Sequence, residues 1–276
     1  MNPSPRPPLL LSIARQMIRL HIRGAGLLIG FMLPHWKNRT VDYPLTPELQ
    51  FTVPIGRRET CLDARDVQEF ERHHIKSFCS AIRDSEHLTL FDCGADIGLF
   101  SASVCARMSN VHRVIAFEPN QEFFQVLALN ISRLPSGEAH DCAVSDFSGF
   151  GKLVRPDYDA SAHARYMVQA DSGFAVTTID HFGSTGDVAI KIDVEGGELA
   201  VIRGALDTIR SARRATITFE AHPLVIGRTH IHPRECMLFL ESIRPFMFKV
   251  AETGEVVASE SLQLPGGMVN IIAQSI

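Results

Sequence analysis

The chain has 276 residues, a formal net charge of -4 and 45% hydrophobic residues, which is enough apolar material for one large α/β domain with an extension. The slight acidic balance argues against a broad basic surface, so we predict no nucleic-acid partner. The six cysteines are scattered without a C-x-x-C pair, which argues against a zinc cluster and a disulfide framework. We therefore expect a protein of the reducing cytoplasm.

The first 41 residues form a basic segment that contains six Lys and Arg residues and no Asp or Glu. Leu10, Ile13, Met17 and Leu20 recur near helical spacing with arginines between them, which is typical of a helix lying on an anionic membrane surface. The same spacing fits a helix packed on the protein core or on a second subunit, which is the more common arrangement. The apolar run at 24–33 is shorter than the roughly 20 residues that span a bilayer.

Prolines punctuate residues 34–60, which predicts irregular structure with a short strand at 50–53. Together with the basic segment, this region makes a predicted N-terminal extension and cap over residues 1–65. A helical pattern starts at Asp66, and we expect residues 66–276 to form the main domain.

Strand-like and helix-like runs alternate through the main domain, which predicts a mostly parallel sheet with helices on both faces. The seven predicted strands lie near residues 88–92, 112–117, 139–143, 187–194, 214–221, 246–252 and 267–273. The predicted helices lie near residues 99–108, 121–132, 198–212 and 233–243. This arrangement is α/β, doubly wound and Rossmann-like.

Polar side chains end several of these strands, where ligands bind in open α/β sheets: Asp92, Glu118, Asp193, Glu220 and His222. Gly94 and Gly98 allow a sharp turn in which the main chain approaches a ligand closely. The acid at 118 lies where a carboxylate accepts hydrogen bonds from both ribose hydroxyls. The sequence therefore predicts a site for an adenosine-containing cofactor.

Lys191 lies within a strand that we expect to be central in the sheet, where both faces are normally apolar. A buried ammonium group needs a carboxylate partner, and Asp193 and Glu220 are the candidates. Two interpretations stay open, because an ion pair that serves the reaction and one that only stabilises the sheet produce the same pattern.

Six sequence blocks between about Leu88 and Pro223, in their order along the chain, resemble the FkbM-type S-adenosylmethionine-dependent methyltransferases. The most specific block is Ile-Lys-Ile-Asp-Val-Glu-Gly-Gly-Glu at 190–198. The others are Phe-Asp-Cys-Gly-Ala-Asp-Ile-Gly at 91–98, Ala-Phe-Glu-Pro at 116–119, Leu-x-x-Asn at 127–130, Ala-Val-Ser-Asp at 143–146 and Thr-Thr-Ile-Asp at 177–180.

The resemblance implies a class I methyltransferase fold over 66–276, S-adenosyl-L-methionine as cofactor, and O-methylation of a small molecule or a saccharide hydroxyl. It implies that Glu118 holds the ribose and that the 141–145 stretch lies near adenine. One residue departs from the family pattern, because Asp96 stands where the family commonly has Asn. The implied cofactor-binding residues are Asp92, Gly94, Asp96, Gly98, Glu118, Asp141, Ala143 and Ser145.

Methyl transfer to a hydroxyl requires a group that accepts the hydroxyl proton. We predict Asp193 and His222 as a shared acid/base and positioning site, with Glu220 and Lys191 beside them. The carboxylates could hold a divalent metal ion, but we do not favour one and predict no metal ligands.

Two alternatives remain open. A NAD-dependent oxidoreductase also explains Glu118, although Asp92 and Cys93 stand where the approach of a pyrophosphate calls for glycine. A methyltransferase-like module without catalysis, acting as a binding partner, is the second alternative. The sequence indicates neither the acceptor nor the oligomeric state.

Overall fold

The computed structural model describes residues 39–55, 64–154, 166–223, 231–262 and 267–276, together with a few single residues. The single residues are Leu9, Ser12, Ile13, Gln16, Met17, Leu20, Ile22, Arg23, Ile226 and Thr229. The chain divides into two compact units, Met1–Arg72 and His73–Ile276. The predicted domain boundary at residue 65 stays a prediction. Within the described residues, no helix is both long and apolar enough to cross a membrane.

The first unit contains an antiparallel hairpin of β1 (Thr40–Pro44) and β2 (Gln50–Pro54), followed by helix α1 (Ala64–Glu69). The strand predicted at 50–53 is confirmed, but the prediction of otherwise irregular structure around it was wrong. The physical reason is that Pro44 and Pro54 stand at the ends of the two strands, where they remove no hydrogen bond from the middle of the ladder.

The second unit is built on an eight-stranded sheet whose strand order is β13-β12-β14-β11-β10-β3-β4-β5. The strands from β3 onward are β3 (Leu88–Cys93), β4 (Val111–Phe117), β5 (Gly137–His140), β6 (Cys142–Val144), β7 (Gly149–Val154), β8 (Tyr166–Ala170), β9 (Phe174–Thr177), β10 (Val188–Ile192), β11 (Ala215–Ala221), β12 (Phe246–Val250), β13 (Val256–Val257) and β14 (Val269–Ser275). The central strands β11, β10, β3, β4 and β5 are parallel, and β14 is antiparallel to both of its neighbours. The predicted class is confirmed, with the two-residue β13 as an additional edge strand.

The strand predicted at 139–143 is two strands, because the chain leaves the main sheet at Asp141. Before this residue β5 pairs with β4, and after it β6 pairs with β9 in a separate four-stranded sheet of order β6-β9-β7-β8. This second sheet was not predicted. Its strands β7 and β8 are mostly exposed or half-buried, so they lack a clear apolar alternation.

In the fully described ranges, α1 is followed by the helices α2 (Arg72–Ala81), α3 (Leu99–Cys105), α4 (Gln121–Ile131), α5 (Glu198–Arg203), α6 (Leu206–Ser211) and α7 (Pro233–Ile243). The prediction of one continuous helix over 198–212 was wrong, because it is interrupted at Gly204. A Cβ atom at that position would lie 1.9 Å from the carbonyl oxygen of Ser145. The main chain of the second sheet therefore occupies the space that a side chain would need.

Helices cover both faces of the main sheet, as predicted. On one face α5, α6 and α7 pack on apolar side chains of the strands, including Phe91, Ile190 and Phe219. On the other face the buried His74 of α2 and Thr218 of β11 share a hydrogen bond of 2.8 Å. The second face thus includes buried polar groups. The candidate site lies on this same face.

Candidate active site at the carboxyl ends of the parallel strands

A tight turn follows β3 and runs from Gly94 to Gly98. Gly94, Asp96 and Gly98 all have positive φ, at 73°, 55° and 86°. A Cβ atom on Gly94 would lie 1.9 Å from the carbonyl oxygen of Asp193, so only glycine fits there without displacement. The amides of Gly94 and Ala95 donate to the carbonyl oxygen of Phe117, at 3.1 and 2.9 Å. The turn is therefore held against the ends of both neighbouring strands.

Glu118 follows β4 and is only 9% exposed. Its Oε2 accepts a hydrogen bond of 3.0 Å from the amide of Asp96, and its Oε1 accepts one of 2.9 Å from the amide of Asn120. Burial raises the pKa of Glu118 to about 7, and the nearby carboxylate of Asp96 adds to the rise. A buried carboxylate with oxygens already directed at the glycine turn can accept further hydrogen bonds from ligand hydroxyls.

Lys191 joins the turn to the next strand end. Its Nζ lies 3.3 Å from Oδ1 of Asp92 and 3.4 Å from Oδ2 of Asp193, and it donates a hydrogen bond of 2.8 Å to the carbonyl oxygen of Gly94. The Asp193 pairing was one of the two candidates from the sequence, whereas the Asp92 pairing was not foreseen. A single ammonium group thus connects two carboxylates and one main-chain oxygen.

Two residues that the sequence interpretation did not single out, Ser101 and Phe100, support this arrangement together with Asn130 of the Leu-x-x-Asn block. The hydroxyl of Ser101 donates to Oδ2 of Asp92 at 2.6 Å, and the side-chain amide of Asn130 donates to the carbonyl oxygen of Ile97 at 2.8 Å. The ring of Phe100 lies 5.9 Å from Lys191 Nζ. The Leu-x-x-Asn block at 127–130 was the signal for Asn130 available in the sequence.

The loop after β10 has an unusual backbone, with φ of 56° at Glu195 and 112° at Gly196. The buried Glu198, in the first turn of α5, accepts a hydrogen bond of 2.9 Å from the amide of Gly196. Burial raises the pKa of Glu198 to about 7. This carboxylate stabilises the loop that begins at Asp193.

Glu220 and His222 lie at the end of β11, the strand beside β10. The register pairs Ile192, the last residue of β10, with Phe219. Glu220 is therefore one residue beyond the level at which β10 ends. Asp193 has a side chain that is 42% exposed, and both Glu220 and His222 are half-buried. The structure places all three at the carboxyl ends of β10 and β11. Their catalytic roles stay predictions.

The residues implied to lie near adenine are spread across the junction between the two sheets. Asp141 comes directly after β5 and accepts a hydrogen bond from the side-chain amide of Gln121. Ala143 is half-buried in β6, and Ser145 is buried with its carbonyl oxygen against Gly204. Of these three residues, only Asp141 directly follows β5, the strand beside β4, which ends just before Glu118. The adenine contacts stay predictions.

The family model of the Methyltransferase FkbM domain matches residues 92–248, more than half of the chain. The chain belongs to the FkbM methyltransferase family. The match includes every residue predicted for the site, from Asp92 to His222. Among the residues that the structure describes, no group of three or more His, Cys, Asp or Glu side chains could hold a metal ion.

Among individual proteins, the hexuronic acid methyltransferase AglP of Haloferax volcanii is 29% identical over 138 residues, which are 48% of this chain and 56% of AglP. The chain thus spans about half the length of this curated relative. The crystal structure of the methyltransferase FkbM from Methylobacillus flagellatus has a TM-score of 0.44 at 20% identity, covering 69% of this chain and 44% of that one. The precorrin-6y C5,15-methyltransferase of Geobacter metallireducens has a TM-score of 0.43 at 13% identity, covering 85% of this chain and 100% of that one.

The backbone conformation at residue 96 explains why Asp can stand there in place of Asn. Asp and Asn are the side chains that best tolerate the left-handed backbone found there. The contact to Glu118 is made by the main-chain amide, which every residue except proline has. The substitution therefore keeps the turn and changes its charge.

Proposed function

We propose that this FkbM domain is an S-adenosyl-L-methionine-dependent O-methyltransferase whose acceptor is a hydroxyl of a saccharide or a small metabolite. The observation that carries the proposal is the buried carboxylate of Glu118, which is hydrogen-bonded to the Asp96 amide of the glycine turn. This places a hydroxyl-binding group beside a turn whose main chain can approach a ligand closely.

The residues at the carboxyl ends of the parallel strands fit this donor. Glu118 would accept hydrogen bonds from the two ribose hydroxyls, and the 94–98 turn would border the methionine end. Asp141 would lie toward adenine, as the family resemblance implies. S-adenosylmethionine, when bound, supplies a methyl group on a positively charged sulfur. The carboxylates of Asp92 and Asp193 give the surroundings of the turn a charge that suits a cation, and Lys191 balances it in part.

The acceptor would bind where β10 and β11 end. Asp193, partly exposed and contacted by Lys191, would accept the hydroxyl proton together with His222, while Glu220 would orient the acceptor. The Lys191 ammonium group contacts the carboxylate of Asp193, and the main chain of Asp193 is fixed by its amide, which donates to the Cys93 carbonyl oxygen at 3.1 Å. A base held in this way needs little rearrangement before proton transfer.

The acceptor class is supported by the relative that acts on hexuronic acid. A saccharide ring carries several hydroxyls, which can donate hydrogen bonds to the carboxylate and imidazole groups at the ends of β10 and β11. The scattered cysteines favour a cytoplasmic location.

Titration calorimetry on the full chain with S-adenosylmethionine, and separately with NADH, tests the donor. We expect heat of binding with the first ligand, its loss in Glu118→Ala, and its retention in the control Glu138→Gln on the neighbouring strand. Heat with NADH alone would instead establish the oxidoreductase alternative. A folded chain that binds neither ligand would contradict the proposal.

A screen of hexuronic acids, their nucleotide-activated forms and neutral sugars for methyl incorporation then tests the acceptor. We expect incorporation into an acceptor hydroxyl, with release of S-adenosylhomocysteine. If donor binding is retained but no hydroxyl compound is methylated, the saccharide class is wrong while the donor assignment stands.

A further inference from the structure

We propose that the basic segment, residues 1–41, binds the surface of a bilayer that contains anionic phospholipids. The binding is peripheral, since the apolar run at 24–33 is shorter than the roughly 20 residues that span a bilayer. This inference is independent of the methyl-transfer chemistry proposed above. It rests on the exposure of apolar side chains in the segment and on the sign of its charges.

The described residues of the segment include exposed apolar side chains at helical spacing. Leu9, Ile13 and Gln16 lie in helical backbone, and the amide of Leu20 donates to the carbonyl oxygen of Gln16 at 3.0 Å. Leu9 is 76% exposed, Ile13 42%, Leu20 64% and Ile22 49%. By helical spacing Leu9, Ile13 and Leu20 share one face, which a helix packed on a protein core would bury, and all three side chains are exposed.

The positive charge of the segment indicates which kind of surface this face binds. Six Lys and Arg residues and no Asp or Glu stand in the first 41 positions, although the whole chain has a net charge of -4. Arg23 is exposed next to Ile22, so a basic group and an apolar group are adjacent at the surface. Apolar side chains that enter the acyl boundary, beside arginines that meet lipid phosphates, are the chemistry of an interfacial helix.

A second copy of the basic segment is the less suitable occupant. Two basic segments brought together would repel each other, because neither carries an acid to pair with the other's arginines. An anionic membrane offers both the apolar layer and the negative surface potential. Each basic residue near such a surface contributes about 1 kcal/mol, which is roughly fivefold in partitioning.

Sedimentation of the full chain with lipid vesicles tests the proposal. We expect binding to vesicles of phosphatidylcholine mixed with phosphatidylglycerol, weak binding to phosphatidylcholine alone, and a loss of binding as salt is added. Arg23→Ala should weaken partitioning roughly fivefold. The double variant Ile13→Ser, Leu20→Ser should weaken it roughly tenfold or more. Both changes are at exposed side chains, so the variants should fold, which far-ultraviolet circular dichroism checks.

The chain offers a matched control in Leu238→Ser with Val256→Ser. These side chains are 42% and 62% exposed, close to the 42% and 64% of Ile13 and Leu20, but they lie in the second unit. The control should bind vesicles like the unchanged chain. Equal binding to neutral and anionic vesicles, no binding to either, or an equal loss in the control would overturn the proposal. So would a lipid-free dimer, seen by analytical ultracentrifugation, that the Ile13→Ser, Leu20→Ser variant dissociates.

Discussion

The ammonium group of Lys191 donates a hydrogen bond of 2.8 Å to the carbonyl oxygen of Gly94, so a side chain of β10 holds the main chain of the turn after β3. The same group contacts Asp92, on the proposed donor side, and Asp193, on the proposed acceptor side. The two halves of the proposed site therefore share one buried cation.

Replacing Lys191 with methionine should destabilise the protein strongly. Asp92 is fully buried, so removal of its cation leaves a charged carboxylate without compensation in the interior. We expect the free energy of unfolding in urea at neutral pH to fall by about 3 kcal/mol or more. The double variant Lys191→Met, Asp92→Asn should recover part of the loss, because the second change removes the stranded charge. Independent, additive losses would contradict the direct pairing.

Gly94→Ala and Gly254→Ala separate backbone strain from lack of space. Their φ angles are nearly equal, at 73° and 75°, but nothing lies within 4 Å of a Cβ on Gly254, whereas a Cβ on Gly94 meets the Asp193 carbonyl oxygen at 1.9 Å. Gly254→Ala should cost about 1 kcal/mol of unfolding free energy. Gly94→Ala should cost several times more and should also abolish donor binding, measured by calorimetry. Equal costs would show that the turn can move away from Asp193.

Donor binding should depend on the ionisation of Glu118. Its pKa is about 7 in the free protein, and the carboxylate form is the one that accepts two ribose hydroxyls. Donor affinity should therefore fall roughly fivefold between about pH 7 and about pH 6. Glu118→Gln should bind weakly at both values, without this dependence.

Asp96→Asn tests the cause of that shift. Burial is the larger reason that the pKa of Glu118 is raised, and the charge of Asp96 adds to it. Without that charge, the midpoint of the affinity profile should move to lower pH, and donor binding near pH 7 should strengthen. The turn itself should persist, because Asn tolerates the same left-handed backbone. An unchanged midpoint would show that Asp96 has no electrostatic effect on Glu118.

Glu198→Gln should stabilise the protein at alkaline pH. The pKa of Glu198 is raised from 4.5 to about 7 on folding, so its contribution to stability is complete below 4.5 and is lost as pH rises through 7. Glutamine can still accept the hydrogen bond from Gly196 but cannot ionise. We expect a gain of about 3 kcal/mol in unfolding free energy at about pH 8 and little gain at about pH 5. Glu122→Gln, exposed in the first turn of α4, is the control and should show no such difference.

The parallel sheet could be predicted because its strands are apolar, short and separated by helical periodicity. All six residues of β3 are buried, and so are all five of β10, and such runs are visible in one dimension. The second sheet could not be predicted in the same way. Its identity depends on which strand β6 pairs with, and Asp141 carries no local signal that the chain changes sheets there.

Residue type and spacing by themselves determined the fold class, the glycine turn at 94–98 and the acid at Glu118, because these depend on local backbone freedom and on where strands end. Only the tertiary structure decided that Lys191 contacts both Asp92 and Asp193, and that Gly204 interrupts the helix predicted at 198–212. Those outcomes depend on distances across neighbouring strands and sheets, which no pattern along the chain records.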